Sequence, residues 1–306
     1  MEIYPITDRS SWLTLRQRDV TASEVAALFG LSKWDTALSL YAAKKGLGRP
    51  KGDNTAMRGG RIMEPAIAQA VQEEKPEWTL EKASKYYRDP VFRIGCTPDY
   101  FRTQQTDSFT IKKPIECKFV QPKIFEADWK DGPPLMYVLQ TLVQIYVTEA
   151  PAGYIAVMLD NRAKDTFIYD VPRNQAAWDR IVARVAQFWQ DVDADVMPGA
   201  NYAMDGDELK ALFPADAKQQ PLDLRDDNRL PAILAEREAC KARMKADTAS
   251  VEAIDAEIID KLRGAPEAVL NGYRVSYKQQ TRKETIQKAS MFSVLRITTT
   301  KEDFNV

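Results

Sequence analysis

The sequence predicts an α/β fold in which a mixed central sheet is flanked by helices, with a helical and β extension at the C-terminal end. Three observations predict it. Runs of β-branched and aromatic residues at 109–120, 153–159 and 166–171 alternate with segments of helical period at 133–148 and 175–193. A chain of 306 residues, 44% hydrophobic and 28% charged, suits a large domain plus an extension. The composition then changes near residue 198, where an acidic, Pro/Gly/Asp-rich stretch begins. The expected divisions are a domain over 1–200, an acidic linker over 201–228 and an extension over 229–306.

From the N-terminus, Trp12, Leu13, Leu15 and Arg16 make a short amphipathic helix. Thr21 followed by Glu24 has capping-box spacing, so a helix is expected to start at Thr21 and to stop at Gly30. Its first turn would present backbone N–H groups beside the Ser23 hydroxyl, with Arg16 one connection upstream. That arrangement suits a phosphate; the same residues also make an ordinary capped helix with Arg16 in solvent. Residues 39–46 form a helix end, and a Gly/Pro-rich loop leads to Asn54. In the helix expected over 56–71, Pro65 places Glu64 at or just before the first turn. A carboxylate there is either a third oxygen ligand for a metal or an acid that satisfies the helix dipole.

The chain is organised around residues 94–118. A strand is expected over 91–94, polar turn residues over 103–108, and a second strand ending near Val120. Alternation puts Glu116 and Lys118 on one face and Cys117 on the other. Asp99, at the end of the first strand, can then lie beside Glu116. Two such carboxylates repel unless a cation lies between them, which favours a divalent metal. Lys118 beside them can position a water or stabilise charge developing on a phosphate. Glu-x-Lys alone is common on solvated strands, so the flanking context carries the reading. In the helix at 133–148, Tyr137, Gln140 and Gln144 share a face that suits a polar site. In the helix from Gln175 to about Asp193, Trp178, Ile181, Val182, Val185, Phe188 and Trp189 point inward.

The chain has no histidine. Ser-His-Asp and Cys-His catalysis and His-based zinc sites are therefore excluded. Carboxylate and backbone oxygens remain for a metal, which favours Mg²⁺, with Mn²⁺ an alternative. Three scattered cysteines (Cys96, Cys117, Cys240) match no zinc pattern and suit a reducing cytoplasm. No apolar run approaches the ~20 residues of a membrane span, and the N-terminal residues lack a signal-peptide pattern. A cytoplasmic location with no membrane partner is expected. Net charge is −1 but uneven: residues 191–227 carry ten acidic and three basic side chains, and 271–301 carry seven basic and one acidic. The basic stretch is either a solvated strand surface or a functional tail.

Five motifs in order resemble lambda exonuclease and the YqaJ viral recombinase family of phage exonucleases, within the restriction-endonuclease-like PD-(D/E)XK nuclease superfamily. They are Trp12-x-x-Leu15-Arg16 leading to 20–24; Gly60-x-x-x-Glu64; Thr97-Pro98-Asp99; Ile115-Glu116-x-Lys118; and Tyr137-x-x-Gln140 running on to Thr148. The resemblance covers roughly residues 1–200. It implies a restriction-endonuclease-like core, with Asp99 and Glu116 as metal ligands and Glu64 as a further acid of the active centre. It implies Lys118 as the catalytic lysine, Gln140 as a supporting glutamine, and Arg16 and Ser23 as the pocket for a DNA 5′-phosphate. It further implies a toroidal homotrimer of phage or prophage origin that degrades one strand of duplex DNA from its 5′ end. The 3′ single-stranded tail that remains would serve an annealing protein. The family's second helix glutamine is Leu142 here, with Gln144 two places later. A structure-specific endonuclease of the same superfamily is the nearest rival, and a non-catalytic DNA-end-binding scaffold a more distant one.

Beyond the resemblance, apolar residues from Ile233 to Leu262 predict a long helix, or a helical hairpin broken near Asp247–Ser250, and 271–278 a turn and strand. A role in assembly or partner docking is expected of this region.

Overall fold

The computed structural model describes all residues except 49–51, 53, 160–161, 217, 282–294, 296 and 298–306. The chain divides into two compact units, Met1–Pro214 and Ala215–Val306. In the first, the elements in order are β1 (Glu2–Pro5), α1 (Arg9–Gln17), β2 (Val20–Thr21), α2 (Val25–Leu28), α3 (Ala37–Lys44) and α4 (Thr55–Glu74). There follow β3 (Thr79–Lys82), β4 (Lys85–Asp89), β5 (Ile94–Cys96), β6 (Tyr100–Gln105), β7 (Thr110–Val120), α5 (Pro122–Asp128) and α6 (Leu135–Val147). The unit ends with β8 (Ala152–Leu159), β9 (Arg162–Pro172), α7 (Gln175–Asp193) and α8 (Gly206–Leu212).

The main sheet has the order β3-β6-β7-β8-β9 and is antiparallel except for the pair β7–β8. That parallel pair needs a crossover, which α5 and α6 supply. A second sheet has the order β1-β4-β5-β2, with β2 parallel to β5. The main sheet is covered on both faces. Ile115, Cys117, Tyr154, Ala156 and Met158 pack with Ile67 and Val71 of α4. Ile155 and Val157 pack on the other side with Val143, Ile145 and α7. Burial on both faces is why β8 is apolar throughout instead of alternating. Each fully buried aliphatic side chain on these faces contributes about 1.5–3 kcal/mol.

The α6 sequence follows from its position. Pro134 opens it in an extended conformation, and Thr148 closes it. Nine of its thirteen residues are buried, so it is a core helix. Gly153 lets it lie close to β8: a Cβ there would meet Ile145 Cγ1 and Thr141 Cγ2 at 3.0 Å and Pro114 O at 3.1 Å. Gly95 is required for a similar reason, since a Cβ would overlap the Tyr86 hydroxyl. That hydroxyl donates to Asp19 Oδ2 at 3.0 Å, and Arg88 clamps the same buried carboxylate at 2.8–3.2 Å.

Several local expectations are corrected. Thr21 is not a helix N-cap. It ends β2, and residues 22–24 form a turn before the four-residue α2. Half of the expected box is present, because Glu24 accepts the Thr21 N–H at 2.9 Å; pairing of Val20 and Thr21 with β5 outweighs helix initiation. Pro65 does not open its helix. α4 begins at Thr55, capped by Asn54, and runs through Pro65. The proline removes one i→i−4 bond, in a helix whose buried residues, Ile67, Ala68 and Val71, all follow it. Val91 to Arg93 form a turn held by the Asp89 side chain, which accepts from Val91 N and Phe92 N, and Arg93 adopts φ 54°. The expected single strand is thus two: β5 in the smaller sheet, and β6, which takes up residues 103–105 assigned above to a turn.

The first unit also extends past the boundary expected at 200. Asp205, just before α8, is buried and accepts the Thr36 hydroxyl at 2.5 Å and the Asn201 N–H at 2.7 Å. The second unit contains α9 (Leu230–Leu262), unbroken at 247–250, and the hairpin of β10 (Glu267–Leu270) and β11 (Tyr273–Ser276). Most of the basic stretch at 271–301 lies outside the described residues.

Candidate active site

The β6–β7 pairing builds the site. Tyr100 pairs with Ile115, so Asp99, in the bend before β6, comes beside Glu116 on β7. Asp99 Oδ2 accepts the Cys117 backbone N–H at 2.8 Å, which fixes the carboxylate. Glu116 is buried on the face of the sheet that α6 covers, and two donors hold it: Lys118 Nζ to Oε1 at 2.5 Å and Gln144 Nε2 to Oε2 at 2.6 Å. Lys118 also donates to Gln140 Oε1 at 3.4 Å and lies 4.7 Å from the Tyr137 ring centre. One strand face and one helix face thus meet at a single carboxylate.

The electrostatics follow from this crowding. Burial, the Glu116 charge and the Glu64 charge together hold the Asp99 carboxyl well above the ordinary carboxylate range. Burial alone would lower the Lys118 ammonium, but the Glu116 and Asp99 charges outweigh it and its pKa is raised. The Glu116 and Asp99 charges thus hold Lys118 as a cation in this arrangement.

Glu64 reaches the same cleft from α4, and its carboxylate is paired with Lys82. The cleft, of about 660 Å³, is lined by Glu64, Lys82, Asp99, Glu116 and Lys118 among others. A smaller cavity of about 150 Å³ adjoins these residues and is lined by Trp12, Arg16, Ser23, Asp99, Gln140 and Gln144. Trp12, Ser23, Thr97 and Asp99 line both.

Arg16 Nη2 donates to Ser23 Oγ at 3.2 Å and to Glu24 Oε1 at 3.5 Å, and the guanidinium lies 4.6 Å from the Trp12 ring centre. Trp12 is itself tied to Thr97 Oγ1 at 3.1 Å. Lys44 donates to Glu24 Oε2 and to the Arg16 carbonyl, both at 2.9 Å. Burial raises the Glu24 carboxyl, but Lys44 and Arg16 more than reverse this and hold it at about 2. Arg16 and Lys44 thus share the one Glu24 carboxylate beside the smaller cavity. Ser23 lies in the turn before α2, so the anion-binding features are these side chains and not a helix N-terminus.

All seven predicted residues fall on these two cavities: Arg16, Ser23, Glu64, Asp99, Glu116, Lys118 and Gln140. Gln144 was assigned only to a polar face, yet it is the fully buried donor to Glu116. Its Oε1 has no hydrogen-bond partner among the described residues. The signal was its i+4 spacing from Gln140. Lys82, which pairs with Glu64, gave no sequence signal, because a lysine at a strand end is commonplace.

Among the described residues, no three acidic, cysteine or histidine side chains converge as a ready-made metal cage. The donor chemistry nevertheless fits a hard divalent cation. Asp99 and Glu116 offer carboxylate oxygens in a desolvated place, and Asp99 bears the repulsion that such an ion would relieve.

A family model described as the YqaJ-like viral recombinase domain matches residues 11–151. Comparison with curated proteins gives no match. Among solved structures, an alkaline exonuclease from Laribacter hongkongensis is similar at 19% identity and TM-score 0.49, over 61% of this chain and 94% of that one. A phage-related exonuclease from Haemophilus somnus is similar at 11% identity and TM-score 0.40, over 58% and 96%. The shutoff and exonuclease protein of Kaposi's sarcoma-associated herpesvirus is similar at 11% identity and TM-score 0.36, over 61% and 69%. Every residue of the paired cavities named as a candidate lies inside the stretch 11–151 that is similar to the YqaJ-like viral recombinase domain.

Proposed function

We propose that the protein is a Mg²⁺-dependent exonuclease that degrades linear duplex DNA in the 5′→3′ direction and leaves a 3′ single-stranded tail for an annealing protein. The observation that carries this is the pairing of two cavities through Asp99. One holds the acid-acid-lysine set, and the other a cationic pocket built from Arg16 and Ser23. An endonuclease needs only the first. A terminal 5′-phosphate carries more charge and more free oxygens than an internal diester, so the second cavity suits a chain end.

Asp99 and Glu116 would hold the metal, with Mn²⁺ fitting the same oxygens. When bound, it supplies an acidified water and offsets charge on the leaving oxygen. The chain's own groups do the rest. Cys117 N–H and Gln144 hold the two carboxylates in place. Lys118, fixed as a cation against Glu116 and Gln140, stabilises the charge that builds on the attacked phosphate. Glu64, paired with Lys82, adds a further acid at the edge of the cleft. Arg16 and Ser23 seat the 5′ end and so fix which phosphodiester lies at the carboxylates. In the assembly we propose, three copies close into a ring around the duplex.

The test is digestion of end-labelled linear duplex, with and without a 5′-phosphate, in Mg²⁺ and in chelator, beside closed circular DNA. Loss of label from the 5′ end in Mg²⁺ alone, faster with the phosphate and absent on circles, is expected. Cleavage of closed circles would replace this reading with an endonuclease.

A further inference from the structure

α9 is 33 residues long, about 50 Å at 1.5 Å per residue, and of its residues only Leu262 is buried. Its apolar residues keep a seven-residue repeat. Leu230, Met244, Val251 and Ile258 fall at one position of the heptad, and Ile233, Cys240 and Ile254 at the position three later. Met244, Val251 and Ile254 are 68%, 56% and 58% exposed. A stripe that repeats every 3.5 residues stays continuous only against another helix of the same repeat. Among the described residues, α9 is the only helix in its unit.

Three charged residues interrupt the stripe, Arg237 at the first position and Asp247 and Lys261 at the second. They decide the partner and its direction. In a parallel pair, each position faces its own copy, so Arg237 would meet Arg237 and Asp247 would meet Asp247 inside the seam. In an antiparallel pair, first positions face second positions. With the two-fold axis at Ala242, Arg237 faces Asp247, Leu230 faces Ile254, Ile233 faces Val251 and Cys240 faces Met244. Over the shared span 230–254, every charge of the stripe then meets its opposite and every apolar residue an apolar one, and Ile258 and Lys261 lie beyond the overlap. A shift of one heptad places Arg237 against Ile254 or Cys240. Lys241 and Arg243 flank the axis on the rim, where solvent and salt screen them, and Lys241 already pairs with Glu238 of its own helix at 3.4 Å.

We propose that α9 is a self-recognition element that pairs antiparallel with α9 of a second copy of this chain. This pairing is independent of the nuclease reading, and it links copies through a surface outside residues 1–214.

Reversal of the charges in the full-length protein tests it. Arg237→Asp and Asp247→Arg each place like charges at both ends of the seam, so self-association measured by sedimentation should weaken at least tenfold in either single variant. The double variant recreates both pairs and should restore it. Both side chains lie on a helix surface, and unchanged circular dichroism would establish that the variants fold. As a second measurement, Met244→Cys should give an interchain disulfide with native Cys240 of the other copy under mild oxidant. Singles that associate like the wild type would overturn the proposal, as would a double that fails to recover. A Met244→Cys variant that never crosslinks would also overturn it; in each case the stripe belongs to another segment or to a different protein.

Discussion

Gln144 is the residue the site could least do without and the sequence marked least. Its amide donates to Glu116 from within the core, and its partner on the other side of that carboxylate is Lys118. Gln144→Leu keeps the volume but removes the donor. A hydrogen bond to a charged group contributes about 1.5–3 kcal/mol, so turnover should fall about ten- to a hundredfold while the thermal midpoint changes little. Lys118→Ala and Glu116→Gln remove groups of the proposed reacting centre; both should abolish hydrolysis and leave DNA-end binding intact, as a gel-shift assay can read. Near-normal cutting by either variant would remove the site assignment. Arg16→Ala should lose one to two orders of magnitude on 5′-phosphorylated ends and much less on 5′-hydroxyl ends. Equal losses on both would make Arg16 a structural residue, which its contacts to Glu24 and Trp12 also allow. Glu24 supplies a separate handle. Its folded-state carboxyl lies at about 2 against an ordinary 4.5, so its contribution is complete above 4.5 and is lost as the pH falls toward 2. The shift corresponds to ~3 kcal/mol. Glu24→Gln should therefore flatten the acid limb of stability, as urea unfolding at a series of pH values would measure.

At the scale of elements, what the sequence revealed and what it concealed have the same cause. α6, α7, β8 and β9 were legible because their patterns are long: both faces of β8 are covered, and α7 keeps its apolar face over nineteen residues. Glu116 and Lys118 were legible because strand alternation needs nothing beyond β7. The errors lie where a tertiary contact outweighs a local signal. Thr21 has helix-capping spacing but pairs with β5. Pro65 has a helix-starting residue's preference but sits inside α4, because Asn54 caps that helix eleven residues earlier. β5 and β6 were merged because neither is long and the turn at 97–99 that divides them is the site itself. The closeness of α6 to β8 is testable in the same terms. Gly153→Ala places a methyl 3.0–3.1 Å from Ile145, Thr141 and the Pro114 carbonyl. It should cost about 1–3 kcal/mol by overpacking, and it should slow turnover as well, since the α6 that it displaces carries Gln140 and Gln144.

At the scale of the molecule, all the candidate chemistry lies in Met1–Pro214, and the second unit carries none of it. A chain ending after residue 228 should fold, remain soluble and cut linear duplex at close to the full rate per site. If it is folded yet inactive, the second unit belongs to the catalytic machinery. The boundary matters to the design of that experiment. A truncation at 200, where the composition changes, would remove Asp205 and α8 and leave Thr36 without its buried partner.

The parallel pairing of β7 with β8 has a consequence for how the protein becomes active. Lys118 and Gln140 are 22 positions apart in the chain, and Glu116 and Gln144 are 28 apart. None of these contacts can form within a local hairpin. They require the long crossover to close, and closure of non-local contacts is a late and slow event in folding. A nascent or partly folded chain therefore displays the carboxylates without the donors that orient them. During refolding from denaturant, nuclease activity should return with the slowest structural phase and not with the recovery of helix signal. A cell making this protein would then meet the proposed activity only in molecules that have finished folding.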